Sequence, residues 1–480
     1  TLETPVYTSD EQAASTYEKI WTSLRSGTSL RLCFNSSGKL EYIYMPSKTA
    51  SVSDDNVLVA KNKPTGSNNP FASMSGGKTP AQIYKNGIPA ELSDLRQYDV
   101  GTYDKSSDTL FVSDLKLSGL YENAYPNAAA PSTVTVMGAK LTVLPSAQAD
   151  LAAFKVGDKV TLLLTTTGQV AGAVSPDVAK SNAVGVAEVK GTMATIKLLD
   201  GILTLEGKTT YSEAAAAKLN GCLVTVSSYK RDYLTLSKVN GKGASTALNL
   251  TTNRMGTKEL SAGARFFEQV SNGRLVEIDR SDITITSIPA NKITYVGYDW
   301  AGRVDKLVLN DVTGDRYDYG IIHYQPAGYQ ETPGNPDGNG EYKNGEISVT
   351  NGSFPKGMPP YVVGSVDGAK TNRMGGVAGS LDQLDGQNRM AAFMPLNEAK
   401  GIRRAQFDTD AMLLTTNSMV IPISDAVECY NKTTGAWYEL GKDGDHKAAL
   451  NLALAFSDDI TVYYDRSPEE GGKVRIVVVE

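Results

Sequence analysis

The stretch Val160-Thr-Leu-Leu-Leu-Thr-Thr-Thr-Gly168-Gln169-Val170 decides the fold class. A β-rich apolar run is followed by a short polar turn ending in Gly. A solvated amide or basic residue and a branched apolar residue then open a second β-rich run, which is the pattern of an antiparallel hairpin. The pattern recurs in Ser29-Leu-Arg-Leu-Cys-Phe-Asn35-Ser-Ser-Gly38-Lys39-Leu40, running on to Met45, and in Ala264-Arg-Phe-Phe-Glu-Gln-Val-Ser-Asn-Gly273-Arg274-Leu275-Val276. Two further copies are Ile293-Thr-Tyr-Val-Gly-Tyr-Asp-Trp-Ala-Gly302-Arg303-Val304 and Ile460-Thr-Val-Tyr-Tyr-Asp-Arg-Ser-Pro-Glu-Glu-Gly-Gly472-Lys473-Val474. Alternation such as Ile460, Val462 and Tyr464 against Thr461 and Tyr463 marks strands with one buried and one wet face.

Between hairpins a second phrase places Gly at a turn before a rising apolar run: Phe154-Lys-Val-Gly157-Asp158, Leu219-Asn-Gly221-Cys-Leu-Val and Leu260-Ser-Ala-Gly263-Ala-Arg-Phe. Alanine-rich stretches at Ser146–Phe154 and Ser212–Leu219 have the composition of short helices. Strand, strand, short helix, Gly turn and hairpin strand together describe a small five-stranded barrel. The expected fold class is therefore mainly β: tandem small antiparallel β-barrel or β-sandwich domains with a few short helices.

The expected organisation is an N-terminal helix plus β domain with a long loop over 1–104, small β-barrels over 105–182 and 183–241, and a β domain over 242–325. A Gly/Pro-rich linker over 326–345 and a C-terminal β domain over 346–480 complete it. The N-terminal helix is expected from Asp10 to Leu24, with Ala13, Tyr17, Ile20, Trp21 and Leu24 on one stripe. The aperiodic stretch from Lys61 to Pro80 is expected to be a long loop.

Composition narrows function. The 480 residues hold 47 Lys plus Arg against 53 Asp plus Glu, a net charge of −6 that gives no electrostatic reason to bind nucleic acid. Two His remove most of the supply of the side chain used for proton transfer near neutral pH. No apolar run is long enough to span a bilayer as a helix. Cys33, Cys222 and Cys429 lie far apart in strand-like surroundings and read as buried thiols rather than a disulfide framework or zinc site. A start at Thr1 and abundant Thr, Ser, Asn, Gly and Tyr suit a processed protein of the outer bacterial surface.

Four motifs carry chemistry on paper. Gly76-Gly77-Lys78-Thr79 lacks the first glycine of a phosphate loop and is followed by Pro80, so it reads as a flexible loop. Asn335, Asp337, Asn339 and Glu346 match the spacing of a calcium loop without its flanking helices, making calcium the one cofactor candidate. The paired carboxylates Asp54-Asp55, Asp458-Asp459 and Glu469-Glu470 could supply glycosidase chemistry but sit in apparent turns. Tyr42, Tyr44, Tyr98, Tyr103, Tyr121, Tyr125, Tyr295, Tyr298, Tyr463 and Tyr464, with Trp21, Trp300 or Trp437, are candidates for sugar stacking, against ordinary cross-strand packing.

At Leu95-Arg-Gln-Tyr98-Asp99-Val100-Gly-Thr-Tyr103-Asp104, Gly119-Leu-Tyr121-Glu122-Asn-Ala-Tyr-Pro126-Asn127 and Phe154-Lys-Val-Gly157-Asp158-Lys-Val, the chain resembles the β-rich region outside the anchoring modules of S-layer-homology proteins of Gram-positive bacteria. The closing stretches from Val427 to Trp437 and from Asp459 onward resemble the C-terminus of such chains. The resemblance implies an extracellular, cell-surface location, a structural role and no catalytic residues to transfer. Contact with cell-wall polymer would come through a region not in this chain. The function expected is a structural extracellular surface protein, self-assembling with its own copies into an S-layer or filament-like array; the alternative is an adhesin or carbohydrate-binding surface module.

Overall fold

The computed structural model describes residues 4–8, 15–17, 31–34, 39–45, 52–239, 243–331, 340–380, 388–440, 444–455 and 457–480. The protein is mainly β, with several sheets, a small closed barrel and a few short helices. It divides into two compact units, one built chiefly from residues 1–240 and one chiefly from 241–480.

All five expected hairpins form. Arg31–Phe34 pairs with Leu40–Met45, Lys159–Leu164 with Val170–Val174, Lys258–Gln269 with Val276–Ile278, and Ile460–Tyr464 with Val474–Val479, each antiparallel. Ile293–Tyr298 and Val304–Asn310 are neighbours in one sheet. In the last hairpin the left-handed residue is Gly471, at φ +82°, rather than Gly472. Gly472 is needed for a different reason: a Cβ there would run into the Arg466 carbonyl.

One strand order recurs. In the first unit, Val184–Lys190, Met193–Leu198, Thr204–Thr209, Leu223–Ser227 and Tyr233–Lys238 close a barrel in the order first, second, third, fifth, fourth. The third and fifth strands run parallel, the other pairs antiparallel, and the helix Glu213–Ala217 links third to fourth. This is the connectivity of an OB-type Greek-key barrel. Lys116–Tyr125, Thr133–Val136, Ala139–Thr142, Lys159–Leu164 and Val170–Val174 repeat it, with the helix Gln148–Leu151 in the equivalent place. A parallel bridge between Val143 and Val170 closes that barrel. The two share one apolar cluster, including Leu117, Tyr121, Leu162, Ala187, Ile196 and Leu234, all fully or almost fully buried. Each fully buried large apolar side chain contributes about 1.5–3 kcal/mol.

The second unit uses the order twice more. Asp318–Gln325, Gly345–Thr350, Tyr361–Val363, Met374–Gly379 and Met390–Pro395 follow it, closed by a parallel bridge between Val362 and Arg389. At the C-terminus, Asn397–Ile402, the short strands Phe407–Asp408 and Leu413–Thr415, Val420–Asn431, Ile460–Tyr464 and Val474–Val479 keep the order with the first and second strands left apart. There the helix His446–Ala455 again precedes the fourth strand, burying Ala449, Leu450, Ala453 and Leu454.

Several expectations need correcting. The boundary after residue 104 cuts a hairpin, because Val100–Asp104 pairs with Thr109–Ser113 up to Asp104 against Thr109. Both strands belong to a sheet with Val57–Val59, Gln82–Lys85 and Ile88–Pro89. In that region Lys85 Nζ donates to Asp99 Oδ2 at 2.6 Å with both side chains 1% exposed. Burial pushes the Asp99 carboxyl up, and Lys85 offsets part of that shift.

Residues 326–345 are not a linker between domains. Asp318–Gln325 pairs directly with Gly345–Thr350, so the stretch connects two strands of one barrel and carries its own hairpin, Gly328–Glu331 against Gly340–Lys343. Gly263 lies inside the 12-residue strand Lys258–Gln269 rather than at a turn. Of the helix expected over residues 10–24, only 15–17 are described, and Ser15–Thr16 form a short strand against Pro5–Thr8. In the Lys61–Pro80 loop, a single turn of 3-10 helix, Pro70–Ser73, is capped by Asn69 and plants Phe71 fully in the core.

Candidate functional site

Charged side chains converge most densely in the second unit, around the strand Val474–Val479. Alternation would point Arg475 inward, and it is 1% exposed. Its Nε and Nη2 donate to Asp465 Oδ2 at 3.0 and 2.8 Å, and its Nη1 donates to Asp315 Oδ1 at 2.5 Å and Ser424 Oγ at 3.0 Å. Nη2 also reaches the Thr313 carbonyl at 2.5 Å, and Lys473 Nζ donates to Asp315 Oδ2 at 2.7 Å. Burial works against the charge on Arg475, but Tyr319, Asp465 and Asp315 outweigh it and raise its pKa. Burial likewise opposes ionisation of Asp315, and Arg475 and Lys473 overcome it, holding that carboxyl below its ordinary range. Beside them, Glu268 accepts from the backbone of Val312 at 2.5 Å and Thr313 at 2.7 Å. Every nitrogen of the Arg475 guanidinium is consumed, so this cluster is a tie between segments, with nothing left over for a substrate.

A cleft of about 270 Å³ opens next to that tie, lined by Arg274, Asp315, Arg316, Asp318, Tyr317 and Tyr361 with the Gly273 and Gly379 backbone. Arg316 and Asp318 differ from their neighbours. They stand close enough to feel each other's charge, yet among the described residues neither side chain has a hydrogen bond or ion pair, and Arg316 Nε is a buried donor with no acceptor. Burial raises the Asp318 carboxyl and Arg316 pulls it partly back. The rings of Tyr317 and Tyr319 lie 5.9 Å apart, and Tyr361 packs so closely on Gly379 that a Cβ there would stand 2.7 Å from its hydroxyl.

The first unit carries an exposed aromatic and basic patch. Lys159 Nζ sits 4.2 Å from the Tyr229 ring and Lys230 Nζ 4.4 Å from the Tyr233 ring, while Tyr229 remains 62% exposed. The loop that bears Tyr229 and Lys230 joins the fourth and fifth strands of one barrel and is fastened to the other. Leu120 N donates to Ser228 Oγ at 2.8 Å, and Arg231 donates to the Glu122 carbonyl.

The residues singled out by sequence do not assemble into one site. Asn335, Asp337 and Asn339 lie outside the described residues, and Glu346 is exposed on the strand Gly345–Thr350. Among the described residues no group of three or more His, Cys, Asp and Glu is placed to hold a metal. Asp54, Asp55, Asp458, Asp459, Glu469 and Glu470 are exposed at turns and short 3-10 helices. Cys429 is buried and its thiol pushed up by that burial; Cys222 is half-buried, donating to the Lys218 carbonyl, and Cys33 lies on Arg31–Phe34. Among the tyrosines, Tyr103 and Tyr121 are core residues, Tyr125 and Tyr298 are exposed on separate strands, and Tyr463 donates to Glu398. Trp300 lies under the Arg303 guanidinium, Trp437 packs against Tyr430, and Trp21 lies outside the described residues. Sequence reasoning missed Tyr229, Tyr233, Arg316, Asp318 and Tyr361. The only local signal for any of them is the basic-aromatic run Tyr229-Lys-Arg-Asp-Tyr233. Compared with protein-family models, curated proteins and solved structures, the chain finds no match.

Proposed function

We propose that this chain is a structural protein of the bacterial cell exterior, a series of small β-barrels that packs with its own copies into an S-layer or filament-like array. The observation that carries the reading is the repeated five-strand order, used four times, with its densest charge cluster spent on tying segments together. A chain built this way offers rigid, interchangeable blocks rather than one elaborated pocket. The resemblance to S-layer-homology proteins supports the location. The hairpin Gly328–Glu331 and Gly340–Lys343 supplies the means of contact: its strands pair only with each other among the described residues, leaving two edges for a neighbouring copy. Small-angle scattering over a concentration series, with and without calcium, tests it. Growth of the scattering mass with concentration is expected; a constant monomer mass in every condition removes assembly.

A second reading, an adhesin or carbohydrate-binding module, is favoured by one observation, the exposed Tyr229 ring and the half-buried Tyr233 ring flanked by Lys159 and Lys230. Aromatic faces stack on sugar rings and the lysines would hold hydroxyl or acidic groups. Loss of glycan retention on Tyr229→Ala would locate the contact there.

A further inference from the structure

We propose that the cleft lined by Arg316, Asp318, Tyr317 and Tyr361 binds a single pyranose unit of a glycan through two adjacent hydroxyls, one accepting from Arg316 and one donating to Asp318. The inference rests on the glycan-binding reading and gives it a site separate from the Tyr229 patch.

The neighbourhood makes the unpartnered pair informative. One residue before Arg316 in the chain, Asp315 is matched by both Arg475 and Lys473, and Arg475 has an acceptor on every nitrogen. Against that saturated background, Arg316 and Asp318 are half-buried, of opposite sign and within Coulombic range, yet do not bond to each other or to any other described group. A half-buried charge without a hydrogen-bond partner is costly even where an opposite charge lies nearby, and two of them on one cleft wall are best satisfied by a ligand with both an acceptor and a donor. An inorganic anion would satisfy Arg316 and repel Asp318, and a cation would do the reverse. A hydroxyl accepts and donates at once, so a pair of neighbouring hydroxyls on a ring meets both demands. Tyr317, buried beneath the cleft, and the half-buried Tyr361 complete a lining whose accessible surface is chiefly polar, which suits a hydroxyl-rich ligand. The cleft, about 270 Å³, falls just under the ~300–1,000 Å³ usual for drug-sized ligands, which suits one ring better than an extended oligosaccharide.

The test applies the full chain to an immobilised panel of neutral hexose and N-acetylhexosamine oligosaccharides, with hydrogen-exchange protection followed in both units. The unaltered protein should retain at least one glycan and gain protection over residues 315–318. Arg316→Met and Asp318→Asn should each weaken retention tenfold or more with unchanged unfolding transitions. If Asp318→Asn fails to fold, Arg316→Met and the protection pattern decide. Retention unaffected by either cleft substitution overturns the cleft and leaves glycan binding standing elsewhere. Retention of no glycan overturns both. Retention confined to sulfated or uronic glycans added as controls, insensitive to Asp318→Asn, overturns the two-hydroxyl assignment.

Discussion

Arg475 and Asp465 face each other on the C-terminal sheet, 1% and 0% exposed, joined by two donations to one carboxylate oxygen at 3.0 and 2.8 Å. The same guanidinium reaches Asp315 and the Thr313 carbonyl, so a single side chain fixes three separate stretches of chain. Removing one partner of such a cluster leaves buried charge uncompensated. Arg475→Met is expected to cost the second unit about 3–5 kcal/mol. Hydrogen exchange in denaturant, read separately over residues 420–480 and 100–240, checks this: the first stretch should lose protection and the second keep it.

Glu428 gives a pH dependence with a definite sign. It is 4% exposed and accepts from Gly352 N at 2.9 Å, yet burial dominates and raises its pKa from 4.5 to about 7. The folded state therefore binds this proton more tightly than the unfolded state. The stability it lends is complete below about 4.5 and is lost as pH rises toward about 7. The contribution is at most roughly 3 kcal/mol at about 1.4 kcal/mol per pH unit. Denaturation midpoints of the second unit between those limits should fall with rising pH, and Glu428→Gln should flatten the decline.

Gly138 holds the two barrels of the first unit at close range. It sits at φ +71°, donates from its backbone to Glu122 Oε2 at 3.1 Å, and leaves no room for a Cβ, which would overlap the Glu206 carbonyl. Gly138→Ala is expected to cost about 1–2 kcal/mol from the left-handed backbone alone, and more from the overlap. A urea titration followed by circular dichroism should show a lower midpoint.

Replacing residues 328–343 with a short Gly-Ser turn should leave the third barrel order intact, because Asp318–Gln325 and Gly345–Thr350 pair without help from the arm. Assembly should weaken while the thermal transition stays in place. Sedimentation velocity beside a melting curve separates the two effects.

Much of the fold was legible because hairpin chemistry is local. Gly168 and Gly302 each join two strands that follow one another directly in the chain, so pairing could be read from the flanking alternation. Where the signal depends on distant partners it failed. The turn Lys105-Ser-Ser-Asp108 has the composition of a linker but joins two paired strands. The Gly/Pro-rich stretch after Gln325 looks like a domain boundary until Gly345–Thr350 is seen to pair back across it. Gly263 has the local context of a turn, yet its chain continues extended through Gln269. Nothing in the sequence joins Arg316 and Asp318 to Tyr361, since barrel closure alone brings them to one cleft. The four-fold strand order was hidden for the same reason: the parallel bridges at Val143–Val170 and Val362–Arg389 link residues with no shared local pattern.

Self-association is the property that the proposed role cannot do without, and electron microscopy of concentrated protein reads it most directly. Ordered sheets or filaments with a repeat of molecular size are the expected images, shortened or abolished when residues 328–343 are removed. Fields of separate single particles at every concentration and calcium level would contradict a coat-forming role.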